Sequence, residues 1–165
     1  MAGLEYRWKG AIYRITVQAD DELECVDNWI AATLGDDVTL AGLVADGQIA
    51  SEVLAEGSEA PEGLWIFGDV APEGAPEPFI RVWLEAAEDD IHTFDSEGGA
   101  ATVSALQYGI AGIANNADYN SLTAINKRIR QTLTSPITGG YIETDDGYII
   151  ACQRLRPWRQ AESQE

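Results

Sequence analysis

Any chemistry in this chain would have to come from one histidine, two cysteines or a few paired carboxylates. His92 is the only histidine. Hydrolytic catalysis needs a nucleophile beside an activating base, commonly a histidine. His92 instead stands in an acidic segment between Ile91 and Phe94, with no GxSxG elbow and no cysteine nearby. Cys25 and Cys152 are far apart, and neither has a CxxC neighbour or a histidine at metal-ligand spacing. Both read as reduced core thiols. Asp36/Asp37, Asp89/Asp90 and Asp145/Asp146 are adjacent carboxylates that could share a proton or hold a cation. Simpler roles fit each pair: a helix cap, a solvated loop and the Asp-Gly turn of a hairpin. Their spacing misses the EF-hand pattern, which leaves calcium at the acidic loop as the one metal alternative. Neither GxxxxGK[ST] nor GxGxxG occurs, so nucleotide binding has no support. These residues point to no catalytic centre, no cofactor and no resident metal.

Charge carries more information. The 165 residues hold a formal charge of -18, with a pI near 4.1, and such a surface repels nucleic-acid phosphates. Acidity also serves plain solubility. The basic residues, however, are segregated. Arg7, Lys9 and Arg14 lie at the start and Lys127, Arg128, Arg130, Arg154, Arg156 and Arg159 towards the end, with Arg81 alone between the two groups. The fold should therefore present a less acidic region built from both chain ends and a strongly acidic one built from the middle. Opposite patches on one subunit favour head-to-tail contacts, which close into rings when the rotation allows.

Size and composition, 45% apolar with five tryptophans, suit one domain over residues 1–165. The N-terminus lacks the apolar run of a signal peptide. The uncharged stretch 98–117 contains glycines, Ser104, Gln107, Asn115 and Asn116, and reads as an interior strand rather than a bilayer span. Cytoplasm-like conditions and no membrane partner are expected.

The elements that would position these residues follow from periodicity. Residues 4–18 read as a strand or bent hairpin, with Lys9-Gly10 as a turn signal. Asp20 or Asp21 caps a helix with Leu23, Val26, Ile30 and Leu34 at helical spacing, and Gly35 takes the left-handed C-cap. Asp36 or Asp37 caps a short helical turn through Leu40, Leu43 and Val44. Residues 46–77 read as a long loop around the apolar Leu64-Trp65-Ile66-Phe67. A strand from Pro78 to Leu84 leads into an acidic loop, 85–97. Over residues 102–114 the even positions Leu106, Tyr108 and Ile110 form a large apolar face and Ala105, Gln107, Gly109 and Ala111 a small one. Such a strand runs roughly 40 Å, so it either crosses the whole sheet or projects from it. Asp118 or Asn120 caps a helix with Leu122, Ile125, Ile129 and Leu133 as its buried stripe, ended by Pro136. A hairpin through Asp145-Asp146-Gly147 follows, with residues 148–156 pairing beside 4–18 and a tail from 159 to 165. The expected class is α+β: one mainly antiparallel sheet, two helices on one face, and long loops.

Trp29 and Trp83 read as core. Trp65 and Trp158 lie in Gly- or Pro-rich settings, where interface and own-core burial both stay open. Interface candidates are Trp65 with Phe67 on the longer loop, Arg81, Asp89 and Asp90 on the acidic loop, and Arg154, Arg156 and Trp158 at the basic end.

The run CVDNWIAATLGDDVTLAGL from Cys25, followed after a loop by APEPFIRVWL, resembles the N-terminal half of the tail terminator (tail completion) proteins of long-tailed phages. Those open with a helix ending in an LxxDxxLxxL segment and then present a Pro-Phe-Ile strand. The long strand, the Ile125/Ile129/Leu133 helix and the closing hairpin from Gly139-Gly140-Tyr141 to Arg156-Pro157 extend the resemblance over about residues 22 to 160. The family's last segment, of the type GxxYxxxGGxYRxxVQ, has its counterpart here at the start, Gly3 to Gln18. Either the chain is circularly permuted or its first strand has independently taken that place.

The resemblance implies a structural virion protein without a cofactor. Tail terminators form a ring, typically of six copies, that caps the tail tube protein and joins it to the head-tail connector protein. DNA would only pass through the lumen, which an acidic wall would keep non-adhesive. Two alternatives remain: another connector or minor tail protein, and a small acidic metal- or ligand-binding domain using residues 85–97.

Overall fold

The computed structural model describes residues 5–50, 55–57, 65–68, 75–87, 91–94, 100–113, 119–134, 141–157 and 159–163. Helix α1 (Glu22–Gly35) starts where Asp21, in an extended conformation, accepts the Glu24 N–H at 3.0 Å. Its buried residues are Cys25, Val26, Trp29, Ile30 and Leu34. Trp29 takes the place on the stripe expected for Leu23, which is 44% exposed. Gly35 does not adopt a left-handed cap. The chain leaves through Asp36 in a right-handed conformation, its N–H bonded to the Ala32 carbonyl at 2.9 Å, because a second helix follows almost at once.

That second helix, α2 (Val38–Ala50), is a full element rather than a short turn. Asp37 caps it by accepting the Leu40 N–H at 2.7 Å. Its sequence, VTLAGLVADGQIA, is apolar nearly all round, so it shows no helical stripe. One side, with Leu40, Val44, Ala45 and Gln48, is buried, while Val38, Thr39 and Asp46 stay exposed. It packs mainly against α3 (Tyr119–Thr134). Helix α3 buries Leu122, Ile125, Ile129 and Leu133 as the periodicity requires.

The main sheet runs β3 (Ile66–Gly68), β4 (Phe79–Ala87), β6 (Ala100–Ile113), β2 (Ala11–Ala19), β8 (Gly147–Arg156) and β7 (Ile142–Glu143). All its pairings are antiparallel except β3 with β4, which makes the sheet mixed. β5 (Ile91–Phe94) pairs with the first four residues of β6. The segment read as an acidic loop is thus largely strand. Ile91 and Thr93 are β-branched and extend the β4–β6 hairpin past a bulge at Leu84/Ala86. β6 crosses the sheet with its later residues and reaches past β2, whose last pair is Val17 with Ser104, with its earlier ones.

A separate two-stranded ribbon joins β1 (Glu5–Lys9) to β9 (Arg159–Ser163). β1 and β2 do not form a hairpin with each other: the break at Gly10 carries the chain from the β2–β8 ladder into the β1–β9 ladder. What reads as a C-terminal tail is in part a strand, because it finds β1 as a partner.

The class is α+β, with three helices where the sequence pattern showed two. The core lies between the sheet and the helices, centred on Tyr13, Ile15 and Val17 of β2, Leu106, Tyr108 and Ile110 of β6, and the apolar stripes of α1 and α3. Gly112 lets α3 approach β6. A Cβ there would sit 2.7 Å from the Ile125 Cγ2, while the Gly112 N–H bonds to the buried Asn126 Oδ1 at 2.9 Å. Asn126 also donates to the Leu122 carbonyl, so both ends of this buried amide are satisfied.

Trp65 is 2% exposed and belongs to the core. Its carbonyl accepts the Ile80 N–H at 2.7 Å, which ties the start of β3 to β4. Phe67 is half-buried and meets Phe79 edge-on, ring centres 5.5 Å apart. Part of the expected long loop 46–77 is therefore helix and strand anchored inside the subunit, and Trp65 is not available to grip a neighbour.

Candidate functional site

The β2–β8 ladder joins two regions of opposite charge. At one end Ala19 pairs with Gly147. Asp20 and Asp21 follow β2 there, and Asp145 and Asp146 precede β8. Thr144 closes that turn, its Oγ1 accepting the Gly147 N–H at 3.0 Å. α1 begins at the same end and adds Glu24 and Asp27. Asn28 Nδ2 donates to Asp146 Oδ2 at 3.0 Å, so helix and turn are held together. Asp20, Asp21, Glu24, Asp27, Asp145 and Asp146 are all exposed. Residues 15–80 contain no lysine or arginine, so this end is acidic throughout the elements that build it.

At the other end Tyr13 pairs with Arg154 and Ile12 with Arg156. Arg156 Nη2 donates to the Gly10 carbonyl at 3.3 Å. α3 brings Lys127 and Arg130, both exposed, along the same side as Thr123 and Asn126. Ala11, Tyr13, Thr123, Asn126, Lys127 and Arg154 line a cleft of about 160 Å³. Tyr13 is 1% exposed, and burial pushes its phenol well above the usual tyrosine range, an effect that Arg154 and Arg130 partly oppose. Beyond this end the β1–β9 ribbon places Lys9 opposite Arg159 and Arg7 opposite Ala161, with Glu5 and Glu162 further out. The ten residues of β8 separate the two ends by roughly 30 Å at about 3.3 Å per residue.

A third feature is the face of the sheet turned away from the helices, which no described helix covers. Trp83 lies flat on it. Its indole crosses Gly109, the cross-strand partner, and reaches Gly10; a Cβ at either glycine would collide with the ring. Arg81 stacks over the indole at 5.2 Å and Trp83 Nε1 donates to Glu85 Oε2 at 2.8 Å. Position 109 on the small face of β6 is a glycine in the space that this aromatic from β4 occupies.

Of the interface candidates, the structure brings Arg154 and Arg156 to the basic end and places Arg81, half-buried, on the sheet face turned away from the helices. Trp65 turns into the core, while Phe67, half-buried against Phe79, lies opposite Arg81 on that same face. Asp89, Asp90 and Trp158 lie outside the described residues. His92 sits on β5 opposite Thr102. Sequence reasoning missed Tyr13 and Lys127 as neighbours of Arg154. The clue was the spacing of Thr123, Asn126, Lys127 and Arg130, a second, polar stripe on α3.

The carboxylate pairs resolve into structural roles where they are described. Asp37 accepts from the Leu40 N–H, from Arg128 Nη2 at 2.8 Å and Nε at 3.1 Å, and from Thr132 Oγ1 at 3.2 Å. Arg128 holds its carboxyl below the usual range. Among the described residues no three His, Cys, Asp or Glu side chains gather as a metal set. Both cysteines are free, and burial pushes the Cys152 thiol up to about 12, which keeps it protonated and unreactive at neutral pH. A larger cleft of about 500 Å³ lies between α1 and strands β3, β4 and β6, where Tyr108 Oη donates to Asp27 Oδ1 at 2.8 Å. Its lining has no serine, cysteine, histidine or lysine. No described helix is long and apolar enough to cross a membrane. In comparison with known proteins, no family model, no curated protein and no solved structure matches this chain.

Proposed function

We propose that this chain is a structural assembly subunit, working in the manner of a phage tail terminator. Copies associate head to tail into a ring, six in the family it resembles, on the end of the tail tube. The ring meets the tail tube protein on one side and the head-tail connector protein on the other, in the virion, with DNA passing through the lumen. One observation carries the reading: a single ladder, β2 with β8, has an acidic end and a basic end. A subunit of that kind attracts its own copies tail-first, and such heterologous contacts close into rings when the rotation per subunit divides the circle. The strongly negative remainder of the surface suits a lumen that must not hold DNA.

Salt tests the reading. Exposed charge pairs are screened beyond about 8 Å at physiological ionic strength and within about 3 Å at 1 M. Sedimentation of the full chain is expected to show assemblies at low salt that dissociate as sodium chloride is raised to about 1 M. Arg154→Glu with Arg156→Glu is expected to dissociate them at low salt. Assemblies indifferent to both changes would mean that apolar contact, not charge, holds the copies together.

A further inference from the structure

The cleft at the basic end has the composition of an oxyanion socket. Lys127 and Arg154 line it, with Arg130 one turn further along α3, and none of the three has an ion-pair partner among the described residues, in a chain with 28 carboxylate side chains. The Tyr13 hydroxyl is buried beside them without a hydrogen-bond partner among the described residues. A buried phenol is ordinarily bonded, since leaving it unpaired costs about 1 to 3 kcal/mol.

We propose that the cleft receives a carboxylate side chain from the acidic end of a second copy of this chain; the proposal rests on the assembly reading above. A space of about 160 Å³ admits the end of one side chain and nothing larger. Its donors suit a carboxylate: a guanidinium that can bond both oxygens, an ammonium and a phenol. The occupant is a second copy because the same ladder carries six exposed carboxylates at its far end, where α1 and the β7–β8 turn present them without a cation. Charge reversed on one end alone should abolish the contact, and charge reversed on both partners should restore it.

The test uses two full-length variants. One carries Lys127→Glu and Arg154→Glu. The other carries Asp20→Lys, Glu24→Lys and Asp145→Lys, positions that avoid the Asp21 cap and the Asp27 and Asp146 hydrogen bonds. Circular dichroism confirms that each folds. Native mass measurement at low salt is expected to show each variant alone as a monomer, and the equimolar mixture as an assembly in which the two alternate. Should the reversed variants not fold, Tyr13→Phe and Lys127→Gln replace them. Removing the hydroxyl is expected to weaken assembly about fivefold, roughly the worth of one hydrogen bond. A wild-type chain that assembles while the mixture stays monomeric, or while Tyr13→Phe and Lys127→Gln assemble normally, overturns the socket and leaves the assembly reading standing. Inorganic phosphate that binds the wild-type cleft without dissociating the assembly does the same, showing a small-anion site instead. A wild-type chain that stays monomeric overturns both.

Discussion

Asp37→Ala is expected to lower the melting temperature by roughly 4 to 12 °C, from a loss of about 2 to 3 kcal/mol at about 2 to 4 °C per kcal/mol. This carboxylate caps α2 and binds Arg128 and Thr132 of α3, so one side chain joins the two helices just where α1 ends. Loss of the cap costs about 1 kcal/mol. The rest comes from the charge-assisted bonds to α3, reduced because Arg128 is about a third exposed and water can replace part of the contact. Asp37→Asn keeps a cap and loses the charge, so it should fall between wild type and alanine. The pH dependence has a definite sign. The folded carboxyl titrates below its ordinary value, so its contribution is complete above about pH 4 and is lost as pH falls through the lowered value. The gap between wild type and Asp37→Ala should therefore narrow in strong acid towards the gap between Asp37→Asn and Asp37→Ala. A constant difference down to pH 2 would contradict the ion pair as the source.

Gly109→Val is the second large effect. A Cβ at 109 would overlap the Trp83 indole, so the ring must leave the sheet face and give up its contacts with Gly10 and Arg81. Overpacking of this kind costs about 1 to 3 kcal/mol. The cause is checked by repeating the substitution in Trp83→Ala, where the space is open and valine suits a strand; there it should cost under about 0.5 kcal/mol. Urea denaturation of the four proteins measures the coupling. An equal cost in both backgrounds would mean that the valine disturbs β6 itself rather than Trp83.

These two sites show what could be read from the chain. α1 and α3 were legible because one face is apolar and the other polar, and a cap stands at the start of α1. α2 was not, since its more exposed side carries Val38, Ala41 and Gly42, which leaves little contrast with the buried Leu40, Val44 and Ala45. The large and small faces of β6 were legible, whereas the reason for the glycine at 109 lies in Trp83, placed there by the β4–β6 register. Trp65 stayed open between interface and core because local composition says nothing of the strand pairing, with its hydrogen bond from Ile80, that holds this segment against the core. The charge segregation was plain in the residue order. That it lies along one ladder depends on the pairing of β2 with β8, and that Tyr13 and Lys127 stand beside Arg154 depends on where α3 crosses that ladder.

The central claim is that opposite charge at the two ends of this ladder makes the subunit join its own copies. Native mass measurement of the purified full chain at low salt, with electron-microscope images of the same sample, tests it most directly. The expected result is a closed ring with a mass that is a whole multiple of the 17.8 kDa subunit. A single species at the subunit mass over all accessible concentrations, with no rings in the images, would contradict it.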